Sequence, residues 1–64
     1  MKVKDLRQGD FFCKKDIAFP SDNQVWIRGE YDRSARRYVI TRFSDTCDTQ
    51  LINGGKDVFC DFTF

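Results

Sequence analysis

Gln24-Val25-Trp26-Ile27-Arg28-Gly29-Glu30-Tyr31, Asp32-Arg33-Ser34-Ala35-Arg36 and Arg37-Tyr38-Val39-Ile40-Thr41-Arg42-Phe43 follow one another, and their reading decides the fold class. The first block alternates. Val25, Ile27 and Tyr31 share one parity and Trp26, Arg28 and Glu30 the other, the period of a half-buried strand. The second block is rich in turn formers, and the third returns to β-branched and aromatic residues. Together they predict an antiparallel hairpin. Gly29 falls on the apolar parity, where a missing side chain marks a bulge or a sharp bend. Two registers are open. A five-residue loop sets Tyr31 opposite Arg37 and Trp26 opposite Arg42. A four-residue loop sets Asp32 opposite Arg37, Tyr31 opposite Tyr38 and Trp26 opposite Phe43. One residue of slip exchanges the faces. The second register is favoured, because it pairs opposite charges and joins Ile40 to Val25, Ile27 and Tyr31.

Working outward, Lys4 to Asp10 reads as a short turn anchored by Leu6, with helix limited to one short turn near residues 3–8. A first strand is expected over Phe11–Ile17. Its adjacent phenylalanines cannot both face one core, so one of Phe11 and Phe12 points away. Phe19 to Asn23 holds the one proline of the chain and reads as a connection. Residues 44–50 read as a polar turn or loop, followed by a brief strand Gln50-Leu51-Ile52 and a hairpin-grade turn Asn53-Gly54-Gly55-Lys56. The last strand, Val58 to Phe64, alternates almost throughout. Five strands in a single domain spanning residues 1–64 predict an all-β fold, a small five-stranded antiparallel SH3-like barrel or strongly curved meander. A truncated OB-type barrel or an open meander stands behind it. Leu6, Val25, Ile27, Ile40, Val58, Cys60 and Phe62 are the expected core.

Composition agrees. Val, Ile, Thr, Phe, Tyr and Trp make up 22 of the 64 residues, against six for Ala, Leu, Glu and Met, a balance that favours strands over helices. A chain this short buries only about 60% of its unfolded surface, so nearly all its apolar side chains are needed inside. Little remains for a deep substrate cavity. The chain has no histidine, which removes imidazole general bases, catalytic triads and imidazole metal ligands. Cys13, Cys47 and Cys60 contain no C-x-x-C pair and cannot complete a usual zinc site. Their odd number fits a reducing compartment better than a disulfide scaffold. Cys13 and Cys60 read as small core residues, whereas Cys47 lies in a polar stretch. No apolar run approaches the roughly 20 residues of a membrane span, and the first residues do not read as a secretory signal. The expectation is a soluble cytoplasmic protein, without cofactor or metal, and not an enzyme.

Charge is unevenly placed. Residues 28–42 carry Arg28, Arg33, Arg36, Arg37 and Arg42 against Glu30 and Asp32, a net of +3; residues 45–61 carry a net of −3. Arginines interleaved with Trp26, Tyr31, Tyr38 and Phe43 suit a single-stranded nucleic-acid surface, where bases stack and phosphates pair. The same residue types dominate protein-protein hot spots. Trp26, Arg28 and Phe59 fall opposite the inferred core parity, so they are expected on an outward contact surface with Arg33, Arg36, Arg37 and Arg42. The leading expectation is a module that binds a protein partner or itself. A weak single-stranded nucleic-acid binder using hairpin 28–42 is the alternative; neither a membrane nor a small-molecule substrate is expected.

Val3 to Phe12 looks like the opening of many small β-domains, of the form Leu-x-x-Gly-Asp-x-Phe. Gln24 to Ser34, together with Val58 to Phe64, resembles a family of uncharacterised small β-barrel proteins of gut Bacteroidales, their mobile elements and phages. That resemblance implies a compact β fold and a mobile-element or phage context. It carries over no catalytic or binding residue.

Overall fold

The expected hairpin forms and is the centre of a four-stranded sheet. In the computed structural model, which describes residues 1–62, the strands are β1 (Phe11–Cys13), β2 (Val25–Asp32), β3 (Arg37–Arg42) and β4 (Asp45–Ile52). They follow one another as an antiparallel meander in the order β1-β2-β3-β4. The chain is all-β, as expected. The sheet is open rather than closed into a five-stranded barrel.

Both hairpin registers occur, one at each end of β2. Near the turn Asp32 faces Arg37 and Tyr31 faces Tyr38, whereas farther along Arg28 faces Ile40 and Trp26 faces Arg42. The shift lies between Arg28 and Tyr31, where Gly29 marked a bulge. A Cβ on Gly29 would lie 2.8 Å from the Val39 carbonyl oxygen, so only glycine lets the two backbones approach this closely. The bulge moves Tyr31 onto the face of Trp26 and Arg28.

That changes the expected core. Trp26 is 4% exposed and joins Val3, Leu6, Phe12, Ile40, Ile52 and Val58 in one cluster. Ile27 shares its face with Phe11 and Thr41 and is only half-buried. The parity assigned to the first half of β2 is therefore corrected: the indole points inward. Leu6, Val25, Ile40 and Val58 are buried as expected. Cys60 and Phe62 are half-buried. Each fully buried Val, Ile or Phe of the cluster contributes roughly 1.5–3 kcal/mol.

The inner face is covered by the two ends of the described chain. Val3 N–H donates to the Lys56 carbonyl at 3.1 Å, Lys4 N–H to Gly54 at 3.1 Å and Val58 N–H to Met1 at 2.8 Å. This ribbon, stapled by a Lys2–Asp57 ion pair of 2.9 Å, presses Val3 and Val58 onto the sheet. Val3–Asp5 forms the expected short helical turn, of 3₁₀ type; a second, at Asp22–Gln24, was not anticipated. Gln24 closes it by accepting a bond from the Ser21 N–H at 3.0 Å.

Three further expectations are corrected. β1 ends at Cys13 instead of Ile17, because Lys14, Lys15 and Asp16 are exposed and have no apolar face to bury. Residues 45–50 belong to a strand instead of a loop. β4 absorbs their polarity in a register shift between Thr41 and Arg42, pinned by an Arg42–Asp48 ion pair of 2.7 Å. Among the described residues the fifth strand is represented by one bridge, in which Cys13 and Phe59 exchange two backbone bonds of 2.8 and 2.9 Å. Beyond it the Phe62 N–H donates back to the Cys60 carbonyl at 3.1 Å, a tight turn. Thr63 and Phe64 of the expected strand lie outside the described residues. The bridge occupies the outer edge of β1, while the outer edge of β4 makes no backbone bond among the described residues.

Candidate functional site

The inner face carries two arginines, each stacked on an aromatic ring. At one corner the Arg42 guanidinium lies 4.6 Å from the centre of Trp26, and the Lys14 ammonium lies 4.2 Å from the same ring. Both cations there have hydrogen-bond partners. Arg42 Nε donates to Asp48 at 2.7 Å and Nη1 to the Asn23 carbonyl at 2.6 Å, while Lys14 Nζ donates to Gln50 Oε1 at 2.7 Å. Burial lowers the Lys14 pKa, and the nearby Arg42 lowers it further. Lys14, Lys15, Ile17, Gln24 and Trp26 line a shallow cleft of about 180 Å³ at this corner.

At the other corner Arg28 lies 4.3 Å from the centre of Tyr38, and Tyr31 meets Tyr38 edge-on at 4.9 Å. The Tyr38 ring rests against Gly54, where an added Cβ would come within 2.8 Å of Cε2. Among the described residues Arg28 has no carboxylate within 4.0 Å, and its buried Nε is without a hydrogen-bond partner.

The tip of the β2–β3 hairpin holds Arg33, Arg36 and Arg37, all exposed. Asp32 does not neutralise them. Its Oδ1 accepts bonds from the Ser34 and Ala35 N–H groups at 2.9 and 3.2 Å, shaping a turn in which Arg36 takes the left-handed region at φ 55°. Asx geometry of this kind is why aspartate opens such turns.

The outer face carries apolar side chains on each strand, with Thr41 and Thr49 among them. Strand pairing aligns Phe11 with Ile27, Val39 with Leu51 and Cys13 with both Val25 and Phe59. Phe43 meets Phe11 edge-on at 5.5 Å. Phe11, Phe43, Leu51 and Phe59 remain 38–46% exposed. Cys13 and Val25 at one end are fully buried.

Of the seven residues expected on one contact surface, Trp26, Arg28 and Arg42 share the inner face, Arg33, Arg36 and Arg37 gather at the tip, and Phe59 lies on the outer side. They do not form one patch. Trp26 in particular is a core residue, which removes it as an outward anchor or base-stacking platform. Phe11, Phe43 and Leu51 were missed. The Phe11-Phe12 doublet was their one signal, since two adjacent aromatics in a strand must face opposite ways.

Burial pushes the Cys13 and Cys60 thiols up, Cys13 further by Cys60 and Cys60 further by Asp10; such thiols are poor nucleophiles at neutral pH. Among the described residues no cluster of three or more His, Cys, Asp or Glu can hold a metal ion, and no helix is long and apolar enough to cross a membrane. A second cleft, of about 410 Å³, is lined by Met1, Val58, Phe59, Cys60 and Asp61. Comparison of the chain with family models, curated proteins and solved structures finds no match.

Proposed function

We propose that this protein is a non-enzymatic binding module that contacts a protein partner or a second copy of itself through the outer face of the sheet. One observation carries the reading: Phe11, Phe43, Leu51 and Phe59 are exposed on that side, beside half-buried Ile27 and Val39. Contiguous apolar surface rimmed by polar residues is the mark of an interaction site, and aromatic side chains supply most interface hot spots. In the setting implied by the sequence resemblance, the module serves a phage or mobile element in the cytoplasm.

The test uses Leu51→Arg, which changes the outer face without touching the buried cluster. Sedimentation over a wide concentration range reports self-association, and affinity capture from host extract reports a foreign partner. Loss of either in the variant supports the reading. A parent that stays monomeric and captures the same proteins as Leu51→Arg contradicts it.

The three unpaired arginines at the hairpin tip favour a second reading, weak binding of single-stranded nucleic acid. Arg33, Arg36 and Arg37 are available to phosphates, although the buried Trp26 offers no stacking surface. Phosphate contacts make affinity fall steeply with salt. Binding to an oligonucleotide that is unchanged between low and physiological salt rules this reading out.

A further inference from the structure

The geometry points to Arg28 as an oxyanion-binding residue, taking a carboxylate or phosphate group at the open corner of the inner face. The inference is independent of the outer-face reading. Its basis is the contrast with Arg42. Both arginines sit half-buried on the same face and both stack on an aromatic ring. Arg42 donates through Nε to Asp48 and through Nη1 to Asn23. Among the described residues Arg28 makes no ion pair and no side-chain hydrogen bond, and its Nε is the buried side-chain polar atom left without a partner.

A half-buried cation without a counter-charge is costly, which favours an anion at its accessible edge. Stacking on Tyr38 holds the guanidinium plane in place, so less side-chain entropy is lost when an anion arrives. A half-buried guanidinium meets an oxyanion through its two-donor Nη edge. A nearby cation favours a negatively charged visitor. Lys4, exposed, is joined to Gly54 by a backbone bond of 3.1 Å, and Gly54 is the floor on which Tyr38 rests. Tyr31, 47% exposed, packs edge-on against the same Tyr38 ring. A planar carboxylate or a phosphate matches the guanidinium fork, which offers two parallel N–H donors.

The experiment is a titration of the full chain followed by ¹H–¹⁵N NMR, with inorganic phosphate in one arm and acetate in the other, each against sodium chloride of equal ionic strength. Saturable shifts centred on the Arg28 side chain, Tyr31 and Tyr38 are expected, with a dissociation constant on the order of millimolar. The arm that saturates first names the source, phosphate or carboxylate. In R28Q, whose dispersed spectrum verifies folding, the affinity should drop at least about tenfold, equivalent to about 1.4 kcal/mol. Shifts that persist in R28Q, that match those in chloride, or that centre on Arg33, Arg36 and Arg37 overturn the assignment. Absence of any saturable shift in both arms overturns it as well.

Discussion

The Trp26 and Tyr38 corners of the inner face are built from the same parts and differ in what is left over. Each stacks an arginine on an aromatic ring supplied across the β2–β3 ladder. Around Trp26 the ring is buried, two cations share it, and Asp48, Asn23 and Gln50 accept their protons. Around Tyr38 the arginine has a ring but no acceptor. The first corner spends its polar groups on the fold. The second keeps them available, which is where recognition chemistry can sit without dismantling the core.

The largest effect that tests this contrast is loss of the indole. Trp26→Ala should cost roughly 3–5 kcal/mol, as for other large buried aromatics, enough to unfold so small a domain. Trp26→Phe, which keeps a ring, should remain folded but melt lower. A Trp26→Ala protein that melts within a few degrees of the parent would place the indole outside the core and erase the contrast.

A smaller effect compares the two arginines directly. Arg42→Ala removes charge-assisted bonds to Asp48 and Asn23 and should cost about 1–2 kcal/mol by denaturant unfolding. Arg28→Met replaces an unsatisfied donor by an apolar side chain of similar length and should leave stability within about 0.5 kcal/mol, or raise it. Equal losses in both variants mean that the fold relies on Arg28 no less than on Arg42.

The smallest effect is on pH dependence. Lys14 is held below its ordinary pKa of 10.5, first by burial and then by Arg42. A lysine whose pKa falls on folding releases protons as the chain folds, so its charged form disfavours the native state at lower pH. The penalty is complete below its folded pKa and vanishes as pH rises to 10.5. The stability difference between parent and Lys14→Met should therefore move in the parent's favour across that window. Cys13 and Cys60, both raised above 9.0, act in the opposite direction in both proteins and cancel in the difference. A difference that stays flat with pH places Lys14 in open solvent.

The Trp26 corner was hidden from sequence for a definite reason. Val25, Ile27 and Tyr31 form an apolar odd series, and counting it straight through Gly29 assigns all three to one face. The bulge breaks the series, so Tyr31 joins the even-numbered Trp26 and Arg28. Gly29 announced the break but not its effect on parity. The hairpin itself was legible because its alternation and turn formers are local properties of the chain. β4 was not, since Asp45-Thr46-Cys47-Asp48-Thr49 has no apolar period and becomes strand through its pairing with β3 and the Arg42–Asp48 contact. The arginines of the candidate site were visible individually. Which of them already has an acid depends on β4, and so on the part of the fold that sequence reads least well.

The bridge from Phe59 to Cys13 also sets how the sheet can grow. Because it occupies the outer side of β1, one border of the sheet already has a neighbour, and β4 is the border left open among the described residues. Head-to-tail stacking of sheets into a fibre needs two open borders on every copy. With one, a sheet-extending contact has β4 of one molecule beside β4 of another, related by a two-fold axis, and that arrangement is complete at two copies. Among the described residues the short bridge thus disfavours edge-to-edge growth from the β1 border, in a protein whose outer face carries exposed apolar side chains.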